Sequence, residues 1–396
     1  MGDFIRKDKT EVIMAKLRNS FPKPKLHFSG STPPEIFVGR MNYPNVFSGI
    51  LSPDFKGDTS VMASPEEWVK NNLSIEQVLT HRGQMIYGRQ LTNIKLQKSL
   101  SSVTQDLALS SKPVSTEFFL KRLPIQQYTS SKILSIMANP APIDKVLLEE
   151  NPFVEKKVDY LTSDYDVKAT TAMQELYKSN IKISHMQKLL SVGLLGVKAQ
   201  RKLVPTRWSI TAVDDMISKD LMKNIKTYKE INEIFLFTDN YNGNHYNILL
   251  LPGEFKFEVI EAEIPHIDNL SKENLAVQQI GFWKDFEGFF GRKSYAESVT
   301  GAYYANRLAI CEFLEKIKRQ ATILVLREIT EEYYAPLGVG ILRELTRRAM
   351  QNPEKQESLI DALKLVDSRI KIPIKKFEEV SWILSNYKKQ KRLSEF

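Results

Sequence analysis

Cysteine is almost missing from this sequence: Cys311 is the only one in 396 residues. That excludes a disulfide framework and a zinc site built from cysteines, and it fits an intracellular, cytoplasmic setting. Histidine is scarce as well. His27, His81, His185, His245 and His266 are scattered and form no H-x-x-x-H pair, so a metal centre made of histidine alone is not expected. No run of 18 apolar residues occurs, which argues against a transmembrane helix. Residues 1–10 lack the apolar core of a secretory signal.

What is present is an ordinary globular composition. The hydrophobic share is 42% and the charged share 26%, over a chain long enough for two or more domains. Lys plus Arg outnumber Asp plus Glu by 56 to 47, a net charge of +9, which favours anionic partners such as DNA. The basic residues cluster at 198–207, 343–348 and 388–392. Composition divides the chain into a charged lead-in (1–20), a Pro/Gly/Ser-rich N-terminal domain (21–138), a connection (139–165), a C-terminal α+β domain (166–385) and a flexible C-terminal tail (386–396).

Local signals point to an α+β fold, with a mixed or antiparallel central sheet and surrounding helices. Ser64-Pro-Glu-Glu67 and Ser74-Ile-Glu-Gln77 are helix starts, the second opening a helix to about residue 87. Residues 36–38 and 46–51 read as short strands, and 144–149 as a small helix inside the connection. Residues 207–213 alternate as a strand would, with Asp214 or Asp215 capping a following helix. Segments 233–237, 245–251 and 255–260 read as an antiparallel meander with turns at Asn242-Gly243 and Pro252-Gly253. The unbroken apolar run 321–326 is the kind of strand buried on both faces. One substantial sheet would combine the 207, 233–260 and 321 strands.

Charges stand at the ends of these elements, where ligand groups are often held. Arg207, Trp208, Asp214 and Asp215 flank the first joint. Arg307 falls inside the apolar stripe of a helix over 301–319, and a buried arginine needs a charged or ligand partner. Arg327 and Glu328 end the apolar strand, and Arg343 follows the glycine turn after it. Arg40, just after Gly39, completes this candidate substrate or DNA pocket. Paired carboxylates can hold a divalent metal, but adjacent strand residues point to opposite faces, so no metal is assigned to Asp214 and Asp215. Solvated faces and capping are the competing explanation for all of these charges.

The sequence finishes on Gln390-Lys-Arg-Leu-Ser-Glu-Phe396, which fits Q-x-x-L-x-x-F, the core of the peptide that docks on DNA sliding clamps. Leu393 and Phe396, three apart, fall on one side of a single 3₁₀ turn and can enter one apolar pocket. Gln390 offers both a donor and an acceptor to a polar notch.

Longer strings carry a resemblance. They are Gly30-Ser-Thr-Pro-Pro-Glu-Ile-Phe-Val-Gly-Arg40 with Tyr43-Pro44, and Leu203-Val-Pro-Thr-Arg-Trp-Ser-Ile-Thr-Ala-Val-Asp-Asp215. Tyr303-Tyr-Ala-Asn-Arg-Leu-Ala309, Leu326-Arg-Glu-Ile329 and Ala335-Pro-Leu-Gly-Val-Gly340 join them. On these the chain resembles the archaeal Nre DNA-repair proteins over nearly its whole length. The resemblance implies a role in DNA-damage repair and binding to the sliding clamp PCNA through Gln390, Leu393 and Phe396. Many members of that family also carry an N-terminal cysteine cluster resembling a zinc site; residues 1–30 here contain no cysteine, so that site does not carry over. No cofactor is implied. Two other readings stay open: an enzyme acting on DNA, a nucleotide or a lesion through the Arg/Asp/Glu pocket, and a non-catalytic clamp adaptor.

Overall fold

A computed structural model describes residue 23 and residues 25–95, 100–125, 138–265 and 271–387; the statements below concern these. The fold is α+β, with helices around two mixed six-stranded sheets. The chain separates into two compact units, with the division between Ile217 and Ser218. No helix among the described residues is long and apolar enough to cross a membrane.

The first unit holds β1 (His27–Thr32), β2 (Ile36–Val38), β3 (Asn45–Ser52), β4 (Ile86–Asn93), β5 (Val114–Leu120) and β6 (Asn139–Leu148), ordered β1-β5-β6-β4-β3-β2. Only β4 and β6 run parallel. β5 alternates buried and half-buried residues along its whole length, the pattern of a strand with one face on a core. That core includes Phe28, Ile50, Ile86, Phe118 and Val146. Ser74 does form the reciprocal capping box with Gln77, but the helix stops at Gln84 and the chain turns straight into β4. The expected helix over 144–149 is instead the end of β6. Ile143 and Val146 are buried there as Asp144 and Lys145 face out, and pairing to β5 supplies the backbone bonds.

The second unit holds β7 (Ile234–Tyr241), β8 (Asn244–Leu251), β9 (Lys256–Glu263), β10 (Gly281–Glu287), β11 (Thr322–Ile329) and β12 (Glu354–Gln356), ordered β10-β9-β11-β8-β7-β12. β7 and β8 are the expected hairpin, turning on Asn242 and Gly243 at positive φ. The expected meander ends there. β8 and β9 are not neighbours, because β11 lies between them, antiparallel to β8 and parallel to β9. All eight residues of β11 are buried, and only a central position covers both faces of such a strand. One face packs Leu249, Leu324 and Leu326 against the helices Leu359–Arg369 and Ile374–Val380.

Residues 207–213 are not a strand. They belong to the twenty-residue helix Thr206–Ile225. Its buried positions Ser209, Val213, Ile217 and Ile225 recur at helical spacing, and that burial outweighs the strand preference of Ile210, Thr211 and Val213. Asp214 and Asp215 therefore lie in mid-helix and cap nothing. The strands of 233–260 and 321–326 do share one sheet, but residue 207 belongs to neither of the two sheets.

Candidate nucleic-acid interface

The first unit displays aromatic and basic side chains together where β2 meets the start of the Thr206–Ile225 helix. Val38 N–H donates to Thr206 Oγ1 at 2.9 Å, fixing the first helical turn to the end of β2. Pro205 precedes that turn and its carbonyl accepts from Trp208 and Ser209, at 2.8 and 3.0 Å. Val38, Val46 and Leu203 bury the apolar side of the joint. The β2–β3 loop is closed by Gly39 N–H to Phe47 O and Asn45 N–H to Asn42 O, both 2.8 Å, with Asn42 at φ 62°. Arg40 and Met41 are exposed on this loop. Tyr43, 42% exposed, lays its ring 5.2 Å from that of Trp208, 45% exposed, at a tilt of 51°. Arg207 is exposed beside Trp208. Nearby on β3 and β4, the Arg89 guanidinium stacks 4.3 Å over the Phe47 ring. Two half-open aromatic rings with guanidinium groups on the same segments are what bases and phosphates require of a surface.

The structure thus brings together the segments carrying Arg40, Arg207 and Trp208. It adds Tyr43, whose place in the Tyr43-Pro44 string was the available signal. Asp214 is different. It is fully buried and accepts from Gln187 Nε2 at 3.4 Å. Asp215 is half-buried, and as its neighbour on a helix it points about 100° away. No group of three His, Cys, Asp or Glu among the described residues is placed to hold a metal ion. Within the basic cluster 198–207, Arg201 is occupied internally. It donates to the carbonyls of Gly196, Thr162 and Asp164 at 2.7, 2.7 and 2.6 Å and stacks on Tyr165.

The second unit uses its charges inside. Arg307 has no exposed side-chain surface; Nη1 donates to Glu287 Oε1 at 2.8 Å and Nε to Ser218 Oγ at 3.1 Å. Arg327 donates to Glu261 at 2.5 Å and to Asn244 Oδ1, with Tyr333 under its guanidinium. Glu328 leaves β11 on the opposite face and accepts from the backbone N–H of Lys371 and Ile372 at 2.9 and 2.7 Å. Burial raises its carboxyl above the usual range despite those donors. Burial likewise raises Glu258, which holds Ser381, Trp382 and Ile383. Arg327 and Glu328 therefore never converge on one ligand. Arg343 is buried and pairs with Glu344 at 3.2 Å. The rest of the 343–348 cluster is also spent on ion pairs, Arg347 with Glu312 and Arg348 with Asp239. The cluster 388–392 and the docking residues Gln390, Leu393 and Phe396 lie outside the described residues.

Two family models cover nearly the whole chain. The model of the archaeal Nre N-terminal region matches residues 10–267, and that of the archaeal Nre C-terminal region matches residues 287–396. The chain belongs to the archaeal Nre family. It is 36% identical to the DNA repair protein NreB of Archaeoglobus fulgidus over 93% of this chain and 91% of that one. It is 32% identical to the NreA of the same organism, over 86% and 84% of the two chains. With the NreA of Haloferax volcanii the identity is 33%, over 81% and 78%. No solved structure matches. Part of the Gly30–Arg40 string has a purely structural reason. A Cβ on Gly30 would lie 2.0 Å from Pro53 O, and the buried Thr32 hydroxyl bonds Ser52 Oγ at 2.7 Å and Thr116.

Proposed function

We propose that this chain is a DNA-repair factor brought to DNA by the sliding clamp PCNA. Gln390, Leu393 and Phe396 dock on the clamp, and Arg40, Tyr43, Arg207 and Trp208 meet the nucleic acid. The observation that carries the repair role is similarity over nine-tenths of the chain to a relative named a DNA repair protein. Clamp docking is supported by the Q-x-x-L-x-x-F string at residues 390–396. Contact with DNA is supported by the exposed Tyr43–Trp208 pair with its arginines, and by the net charge of +9. In this reading residues 386–396 are a separate docking tail.

A labelled peptide covering residues 386–396 is titrated against the clamp, alongside the full chain. Leu393→Ala combined with Phe396→Ala should cost at least about 2 kcal/mol per anchor, a loss of roughly 1,000-fold. Unchanged binding of the double variant would remove the clamp from the proposal.

A further inference from the structure

Phe290 is 98% exposed, in a unit whose other phenylalanines are largely packed. It stands at the corner of a turn, Gly288-Phe-Phe-Gly291, closed by Gly291 N–H to Gly288 O at 2.9 Å. Gly291 adopts φ 78°, which an ordinary side chain would resist. Phe289 beneath it meets the Phe290 ring edge-on at 5.6 Å. The Lys226 ammonium lies 5.4 Å over the Phe289 ring.

A fully exposed phenylalanine on a loose loop would fold back on its neighbours. Here buried charge fixes the backbone on either side of the turn. Glu287 Oε2 accepts the backbone N–H of Arg292 at 3.1 Å, and Oε1 takes the fully buried Arg307. Asp285 Oδ1 accepts from Arg292 Nη2 at 2.9 Å, and Oδ2 from the backbone of Ser298 and Val299 at 3.0 and 2.7 Å. Arg292 further donates to the carbonyls of Ser294 and Tyr295 at 3.0 and 2.9 Å. Desolvating such ions is costly, and a well-packed apolar replacement would often be as stable. What this network supplies is a fixed loop. Lys293 is exposed beside the turn, where a phosphate backbone would run; Lys284, also exposed, donates its ammonium to Val380 O at 2.5 Å, and Glu297 is the exposed acid further along.

We propose that Phe290 is an insertion side chain that enters the base stack of duplex DNA where stacking is already interrupted, at a nick, gap or mismatch. Apolar wedges enter base steps at a cost of unstacking, and that cost is least where the step is already weak. In this arrangement Asp285, Glu287, Arg292 and Arg307 are positioning residues. The inference rests on DNA as the partner proposed above, but on residues of the second unit.

The test uses the full chain and a duplex carrying 2-aminopurine beside a one-nucleotide gap. Saturating protein should raise the 2-aminopurine fluorescence, and an intact duplex should show much less. Phe290→Ala should lose most of the rise at saturation, and Phe290→Trp should keep it. Arg292→Ala should reduce the rise without preventing binding. An unchanged rise with Phe290→Ala, on a variant whose thermal unfolding matches the parent, would overturn this inference and leave the proposed function standing. Failure to bind either duplex at low salt would overturn both. If Phe290→Ala leaves the fluorescence alone but weakens capture of the clamp, the residue is a protein anchor and the proposal falls.

Discussion

Arg307 and Arg40 carry the same guanidinium and are used in opposite ways. Arg307, in the second unit, has no exposed surface and is held by Glu287 and Ser218; Arg40, in the first, stands on an exposed loop beside Met41 and Tyr43. The difference extends to their neighbours. Arg327, Arg347 and Arg348 all close ion pairs within the second unit, whereas in the first Arg201 is held by carbonyls but Arg40 and Arg207 are exposed on the segments that carry Tyr43 and Trp208. A buried arginine stabilises one backbone arrangement at a desolvation cost, and an exposed one beside an aromatic ring presents its guanidinium at the surface.

The comparison breaks first if the buried pair is removable at no cost. Arg307→Ala strands the Glu287 carboxylate and should destabilise the second unit by about 3–5 kcal/mol, as read by denaturant unfolding. Arg40→Ala should stay within about 0.5 kcal/mol. A paired Arg307→Met, Glu287→Leu change should cost less than Arg307→Ala alone; equal losses would mean the ion pair is not what holds the site.

A smaller effect sharpens the rule that buried charge needs a partner. His185 in the first unit is buried and its Nε2–H donates to Ala108 O at 2.9 Å. Burial, with nearby Lys188, depresses its imidazole to about 4. The unfolded chain binds this proton more readily, so stability is intact above about pH 6.5 and falls as pH drops toward 4, by about 3 kcal/mol in all. His185→Gln should flatten that part of the stability–pH curve. A slope unchanged by the substitution would show that the ring is not kept neutral by its surroundings.

The smallest expected effect concerns the exposed side. Trp208→Ala should reduce affinity for a single-stranded oligonucleotide by about 1–3 kcal/mol with no shift in unfolding midpoint. Arg40→Ala and Arg207→Ala should each lower the salt slope of binding by about one unit. Equal loss from a control change at exposed Phe153 would dissolve the distinction between this surface and the rest.

Much of this was legible in the residues. The Ser74 capping box, the Asn242-Gly243 hairpin and the apolar run of β11 each announce themselves locally, because one backbone conformation satisfies them. The helix at residues 206–225 was not legible at its start, since Ser-Ile-Thr-Ala-Val alternates like a strand and only the burial of Ser209, Val213 and Ile217 selects the helical period. The pocket proposed for Arg327 and Glu328 failed to converge for a related reason. Strand geometry sends neighbours to opposite faces, and their partners, Glu261 and the 371–372 backbone, are more than forty residues away in the chain. Arg307 was read as needing a partner, and Glu287 is that partner; nothing local could name it.

The place of β11 also bears on the order in which the second unit can form. β8 and β9 are finished by residue 263, yet the strand that joins them is not made until residue 329. Through that interval the β7–β8 hairpin and the β9–β10 pair each carry a bare edge of unpaired amides and carbonyls. Closing the sheet requires the intervening chain, including the Gly301–Ile317 helix, to be synthesised and brought across first. Such non-local closure slows folding, so a nascent chain halted before residue 322 holds two half-sheets ready to pair with another copy of themselves.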